Sequence, residues 1–294
     1  MQHDTRTLTT ETVSASPAAD HGRVVPRSLD TPVWPVTRKV HVGPIEFGGD
    51  RFVVIAGPCA VESQAQIQLA ASVVHAHGAH ILRGGAFKAR TSPYTFQGLG
   101  MEGVHLMRAA ADAMGMPMIT EVLSEKDVTA MEPYVDAFQV GSRNMDNTAL
   151  LKDLGALRRP VLLKRGFAAT IKEWLLAAEY IIAGGNDQVI LCERGIRTFA
   201  DSTRFTLDLA GAVLAHRQSG LPVIVDPSHA TGTPDLIPAM SAATLAAGLA
   251  GLMVEVHPDP SVALSDADQA MQPDLFARMM AQLHTLASAA GRTV

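Results

Sequence analysis

Four side chains in this sequence are of the kinds that bind a divalent transition metal. Cys59, His229, Glu255 and Asp266 offer one soft sulfur, one imidazole nitrogen and two carboxylates. A thiolate in the set suits manganese, iron, cobalt or zinc better than magnesium, which prefers oxygen ligands. No motif links the four, and each also has a plain reading: a cysteine is often a small core residue, His229 can close a loop, and Asp266 can cap a short turn. A second group is basic. Arg83, Lys88, Arg90, Arg143, Lys164, Arg165, Arg194 and Arg197, eight of the 24 Lys and Arg residues, each end or follow a short apolar run. Guanidinium forks grip phosphate or carboxylate oxygens in pairs and lysine adds a point charge, so their convergence implies one or two phosphorylated small molecules. The alternative is a rim of solvated ion pairs with Glu121 and Glu193.

Both groups need elements that bring distant residues together. The chain has 294 residues, 47% hydrophobic and 18% charged, which suffices for the core of one large α/β domain. No apolar stretch is long enough for a membrane helix, and no secretory signal pattern opens the chain, so a cytosolic protein without membrane contact is expected. A net charge of −5 argues against nucleic acid as a partner. Two cysteines, Cys59 and Cys192, are too few for a disulfide framework and remain candidates for ligands, nucleophiles or core.

Residues 1–31 are rich in Thr, Ser, Ala, Asp and Pro and are expected to form a disordered tail. Residues 32–50 are expected to hold a small hairpin, with Lys39 to Val42 and Ile45 to Phe47 joined through Gly43-Pro44. In 51–294, short apolar runs alternate with amphipathic stretches. The runs are Phe52 to Ala56, His80 to Arg83, Pro117 to Glu121, Ala137 to Val140, Val161 to Lys164, Val189 to Cys192, Pro222 to Asp226 and Gly251 to Val256. Helices are expected to begin near Ser63, Glu102, Ser124, Asn147, Thr170, Ser202 and Pro234, with a last one over Pro273 to Ala290. Strand-then-helix repeats in this number and length predict a (β/α)8 TIM barrel. An open doubly wound sheet is the runner-up, but no G-x-G-x-x-G follows the first run. In such a barrel the chemistry sits at the C-terminal strand ends, where both groups fall, together with Glu121, Gln139, Glu193, Asp226 and His257.

The strings IAGPCAVES (55–63), LRGGAFKARTSPYTFQGLG (82–100), FQVGSRNMDN (138–147), LLKRG (162–166), CERGIRTF (192–199), VDPSHATG (225–232) and VEVHPDPSVALSDADQA (254–270) resemble the 3-deoxy-D-arabino-heptulosonate 7-phosphate (DAHP) synthases. The likeness is to the compact type I branch, which also contains 3-deoxy-octulosonate 8-phosphate synthase, and it spans about Lys39 to Ala287. It implies a metal-dependent transferase on a (β/α)8 barrel that condenses phosphoenolpyruvate with erythrose 4-phosphate, the first step toward the aromatic amino acids. By the same resemblance, Cys59, His229, Glu255 and Asp266 are metal ligands. Arg83, Lys88, Arg143, Lys164 and Arg194 hold phosphoenolpyruvate, Arg90 and Thr91 contact the aldose phosphate, and Lys88, Glu121 and His229 act in catalysis. A homo-oligomer, dimer or tetramer, is expected. The sequence departs from the common family pattern at Ala89, where proline is usual, and at Thr233, where a basic residue is common; both bear on which aldose is used. The alternatives are the same chemistry on another phosphorylated aldose, or a non-catalytic barrel that binds phosphorylated metabolites.

Overall fold

The computed structural model describes residues 37–88, 92 and 94–294. The expected tail at 1–31 and the positions of Arg90 and Thr91 lie outside the described residues, as does Ala89. Two short strands, β1 (Val40–Val42) and β2 (Ile45–Phe47), form the expected antiparallel hairpin, with Val42 opposite Ile45 across Gly43-Pro44. Gly43 has a positive φ, as a turn this tight requires.

Among the described residues, eight parallel strands then close into a barrel: β3 (Val53–Gly57), β4 (Ile81–Arg83), β5 (Met118–Val122), β6 (Ala137–Val140), β7 (Val161–Lys164), β8 (Val189–Glu193), β9 (Val223–Val225) and β10 (Gly251–Glu255), with β10 pairing back onto β3. The closed order excludes the open doubly wound sheet. Strand side chains alternate between two buried faces, which explains why the runs read as continuously apolar. Val53, Ile55, Ile81, Ile119, Leu162, Ile190, Ile224 and Met253 fill the barrel interior. Val40, Val42 and Phe47 of the hairpin join the same cluster, so the hairpin plugs one end. Cys192 belongs to this interior as a core residue, and burial pushes its thiol well above the ordinary range. The other face, with Val54, Ala56, Leu82 and Phe138, packs on the surrounding helices.

The helices are α1 (Gln64–Ala76), α2 (Met101–Met114), α3 (Glu125–Met131), α4 (Thr148–Ala156), α5 (Ile171–Ala183), α6 (Leu209–Ser219), the short α7 (Pro227–Thr231), α8 (Ile237–Ala246) and α9 (Pro273–Ala289). Their starts follow local chemistry. Ser63, Ser124 and Asn147 each accept a hydrogen bond from a backbone N–H in the first turn, and Thr170 forms a capping box with Glu173. One expected start is wrong: no helix begins near Ser202. Residues 196–206 instead fold back on themselves, with Ile196 and Thr206 exchanging backbone hydrogen bonds of 2.9 and 3.0 Å, and α6 waits for Asp208 as its cap. None of the helices among the described residues is long and apolar enough to cross a membrane.

Candidate active site

Cys59 lies in the loop after β3, Glu255 ends β10, Asp266 sits in the loop that follows, and His229 is on α7 directly after β9. One ligand atom each from Cys59, Glu255 and Asp266 falls within 4.8 Å of the others. His229 Nε2 is 3.4 Å from Glu255 Oε1. Asp266 is the one non-glycine among the described residues with positive φ (51°), a conformation the fold imposes in directing its carboxylate at the thiol, 2.9 Å away.

The protonation pattern tests whether these residues fit a metal. Asp226 is fully buried and lies 2.7 Å from His229 Nδ1 and 2.5 Å from Lys164 Nζ. Burial alone would raise its pKa, but His229 and Lys164 hold it well below the usual carboxylate range, so it stays ionised and keeps the proton on Nδ1. Burial in turn lowers the His229 pKa, which favours the neutral ring with its Nε2 lone pair facing Glu255. Burial opposes the charge on Glu255 as well, yet His229 and Arg83 lower its pKa; Asp266 is brought to about 2, against burial, by Cys59, His229 and Arg204. Two ionised carboxylates and a thiol grouped within 4.8 Å, with the His229 imidazole beside Glu255 at the edge of the group, form an acceptor-rich set that a cation satisfies. The Cys59 thiol, pushed up to about 12 mainly by burial, needs such a cation or Lys88 beside it to ionise.

Next to this cluster opens a cleft lined by Arg83, Lys88, Glu121, Gln139, Gly141, Ser142, Arg143, Lys164, Phe167, Arg194 and His229. Arg83 donates 2.8 Å to Glu255 Oε1, and Lys88 Nζ donates 2.9 Å to both the Cys59 carbonyl and Sγ, so these two cations bridge the cleft and the ligand cluster. Burial works against the Lys88 charge, but the neighbouring Cys59 leaves its pKa raised, and the ammonium form dominates. Gln139 donates 3.3 Å to Glu121, and Gly141 passes so close to that carboxylate that any side chain there would collide with it. Three buried polar atoms on the cleft wall form no regular hydrogen bond; His229 Nδ1 has the Asp226 carboxylate at 2.7 Å, which leaves Arg83 Nε and Ser142 Oγ without a partner. Orphaned buried donors beside several cations mark the place of an anion.

The expected phosphoenolpyruvate contacts Arg83, Lys88, Arg143, Lys164 and Arg194 are thus brought together, with Glu121 among them. Arg165 is not. Its guanidinium is spent on Glu193 at 3.0 Å and Asp208 at 2.8 Å, which ties β7, β8 and the start of α6 and leaves no charge for a ligand. Sequence reasoning placed Asp226 and Gln139 at strand ends without a role, and missed Ser142 and Phe167. Adjacency to Arg143 and Arg165, just past strand ends, was the available signal for those two. It also missed Gln269, which donates 2.5 Å to Glu255 Oε2 and accepts from Arg204, whose guanidinium lies 3.5 Å from Asp266.

A closed barrel with an acceptor cluster and a cationic cleft at the C-terminal strand ends defines a barrel of the kind that handles phosphorylated small molecules. The chain belongs to the DAHP synthetase I family, whose pattern it matches over residues 33–289. It is 46% identical to the phospho-2-dehydro-3-deoxyheptonate aldolase of Thermotoga maritima over 252 residues, covering 86% of this chain and 75% of the relative. The crystal structure of that Thermotoga aldolase, a DAHP synthase, superposes with a TM-score of 0.86 at 45% identity, covering 88% of this chain and 76% of the other. The 2-dehydro-3-deoxyphosphooctonate aldolase of Geobacter sulfurreducens is more distant, 28% identical over 270 residues, with 85% of this chain and 98% of the relative covered.

Proposed function

We propose that this protein condenses phosphoenolpyruvate with D-erythrose 4-phosphate and water, giving 3-deoxy-D-arabino-heptulosonate 7-phosphate and phosphate. The observation that carries the reading is the cleft itself, where five cationic side chains and two unpartnered buried donors adjoin the Cys59, Glu255 and Asp266 cluster and the neighbouring His229. Family membership and the 46% identity to a heptonate aldolase, against 28% and 32% to two octonate aldolases, support the four-carbon aldose.

Carbon 3 of the enol phosphate forms the new bond to the aldehyde carbon, water adds to carbon 2, and the carbon–oxygen bond to phosphate breaks. Arg83, Arg143, Lys164 and Arg194 hold the carboxylate and phosphate of phosphoenolpyruvate, and so offset the repulsion between two dianions. Lys88, charged and 2.9 Å from Cys59, gives its proton to the aldehyde oxygen as it becomes an alkoxide. Glu121, across the same cleft, takes the proton of the attacking water. Cys59, His229, Glu255 and Asp266 would hold a divalent manganese, iron, cobalt or zinc ion, which when bound supplies Lewis acidity toward the aldehyde. Arg90 and Thr91 take the distal phosphate. The reading carries with it a cytosolic location and a homo-oligomer of two or four copies.

The test is phosphoenolpyruvate consumption by metal-loaded protein against erythrose 4-phosphate, ribose 5-phosphate and arabinose 5-phosphate. Highest kcat/KM with erythrose 4-phosphate is expected. Preference for arabinose 5-phosphate would move the assignment to the octulosonate chemistry, and no turnover with any sugar would reduce the barrel to a binding protein.

A further inference from the structure

Lys88 apart, the cations of the cleft and the neighbouring Arg197 are held in two different ways. Lys164 and Arg83 lean on the carboxylates of Asp226 and Glu255. Arg143, Arg194 and Arg197 form no ion pair among the described residues; each packs its guanidinium on an aromatic ring instead. The Phe167 ring, on the cleft wall, has the Arg143, Arg194 and Arg197 guanidinium carbons at 5.4, 5.0 and 5.2 Å from its centroid. Phe205 stacks on Phe167 at 5.3 Å with the planes 10° apart, and Arg194 lies 4.2 Å from its centroid. A backbone hydrogen bond of 2.7 Å from Arg197 N–H to the Phe167 carbonyl ties the loop after β8 to the loop after β7 at the same place.

We propose that Phe167 and Phe205 are positioning residues for phosphoenolpyruvate binding: a stacked pair that holds Arg143 and Arg194 in place without neutralising them. The proposal rests on the reading of the cleft as the phosphoenolpyruvate site. A carboxylate partner also fixes a guanidinium, as Glu255 fixes Arg83, but it offsets part of the charge and competes with the anionic substrate. Arg165 shows that outcome: paired with Glu193 and Asp208, it does not line the cleft. An aromatic face attracts the cation through its quadrupole and carries no net charge, so the full field of both arginines remains for the ligand. It also uses none of the guanidinium N–H groups, of which Arg194 spends one on a long 3.5 Å bond to the Gly195 carbonyl, so the others remain for paired hydrogen bonds. Both rings are only partly buried, so replacing them need not disturb the barrel core.

The experiment is calorimetric titration of phosphoenolpyruvate into the wild type and into Phe167→Leu, Phe205→Leu and Phe167→Tyr, with steady-state kinetics and Tm on each. Phe167→Leu should raise the phosphoenolpyruvate Kd and KM about tenfold, with kcat at saturation, the KM for the aldose phosphate and Tm little changed; Phe167→Tyr should return to within about twofold of wild type. Phe205→Leu should act in the same direction through Arg194. Wild-type affinity in both leucine variants overturns the proposal, and so does a loss of affinity matched by a fall in Tm, which would mark the rings as packing only. Wild-type protein that does not bind phosphoenolpyruvate overturns the reading of the cleft, and this proposal with it. That result is distinct from binding by the wild type and the leucine variants alike.

Discussion

Replacing Asp226 by asparagine separates the two tasks its carboxylate performs. The side chain is fully buried, with Lys164 Nζ at 2.5 Å and His229 Nδ1 at 2.7 Å on one oxygen, and the His229 backbone N–H at 3.0 Å on the other. Asparagine keeps the volume and an oxygen for the backbone N–H, so the cap of α7 survives, but the charge is lost and an NH2 group now faces two donors. Removing one partner of a buried pair typically costs about 3–5 kcal/mol. Lys164 can shed part of that cost by turning toward the cleft or releasing its proton, so the lower end, about 3 kcal/mol, is expected, equivalent to a fall in Tm of roughly 6–12 °C for a domain of this size. The second effect is on His229. With an amide N–H beside it, Nδ1 relieves the clash by accepting, and the ring proton moves to Nε2, the atom that faces Glu255. Loss of such a supporting carboxylate lowers metal affinity by about 10- to 100-fold. Calorimetry of the metal-free variant reads the first effect, and competition for manganese or zinc with a chromophoric chelator reads the second. Unchanged Tm would show that the Lys164–Asp226 pair does not hold in solution, and wild-type metal affinity would show that His229 does not act through Nε2.

Chelation should abolish turnover reversibly, and Cys59→Ala should lower metal affinity and activity together; full activity of the metal-free protein would contradict the proposed ligand set. Alanine at Arg143, Lys164 or Arg194 should cost about 2–5 kcal/mol in kcat/KM for phosphoenolpyruvate, and wild-type kinetics in all three would reduce the cleft to solvated surface. Acid sensitivity should come in part from His80, far from the site, whose Nδ1 accepts the Val54 N–H at 3.0 Å and whose pKa falls, chiefly through burial, from 6.5 to about 4. The fold favours the neutral ring, so this stability is fully present above pH 6.5 and is lost as pH falls toward 4; the loss is about 2 kcal/mol after discounting for a half-buried group, and His80→Asn should flatten that part of the Tm-against-pH curve or the assignment is wrong.

Much of the barrel was legible in the chain because its signals are local. A strand buried on both faces reads as a short apolar run, and Ser63, Ser124, Asn147 and Thr170 start helices by hydrogen bonds that reach only three residues. The same local reasoning failed near Ser202, where pairing between Ile196 and Thr206 outweighs a polar residue that resembles a cap. The kinds of chemistry were legible too: a thiol, an imidazole, two carboxylates and a surplus of cations at predicted strand ends. Which cations stay free was not. Arg165 and Arg194 have the same side chain and both lie just past strand ends; Glu193 and Asp208 consume the charge of one while Phe205 preserves that of the other, and those neighbours are set by barrel closure. Nor does spacing tell that Asp226 orients His229 and holds Lys164 at once, or that Asp266 adopts a left-handed backbone to reach Cys59. Residue types and local hydrogen bonding belong to the sequence. Pairing, burial and the protonation states that follow arise only when segments as much as 207 residues apart are packed into one low-dielectric site.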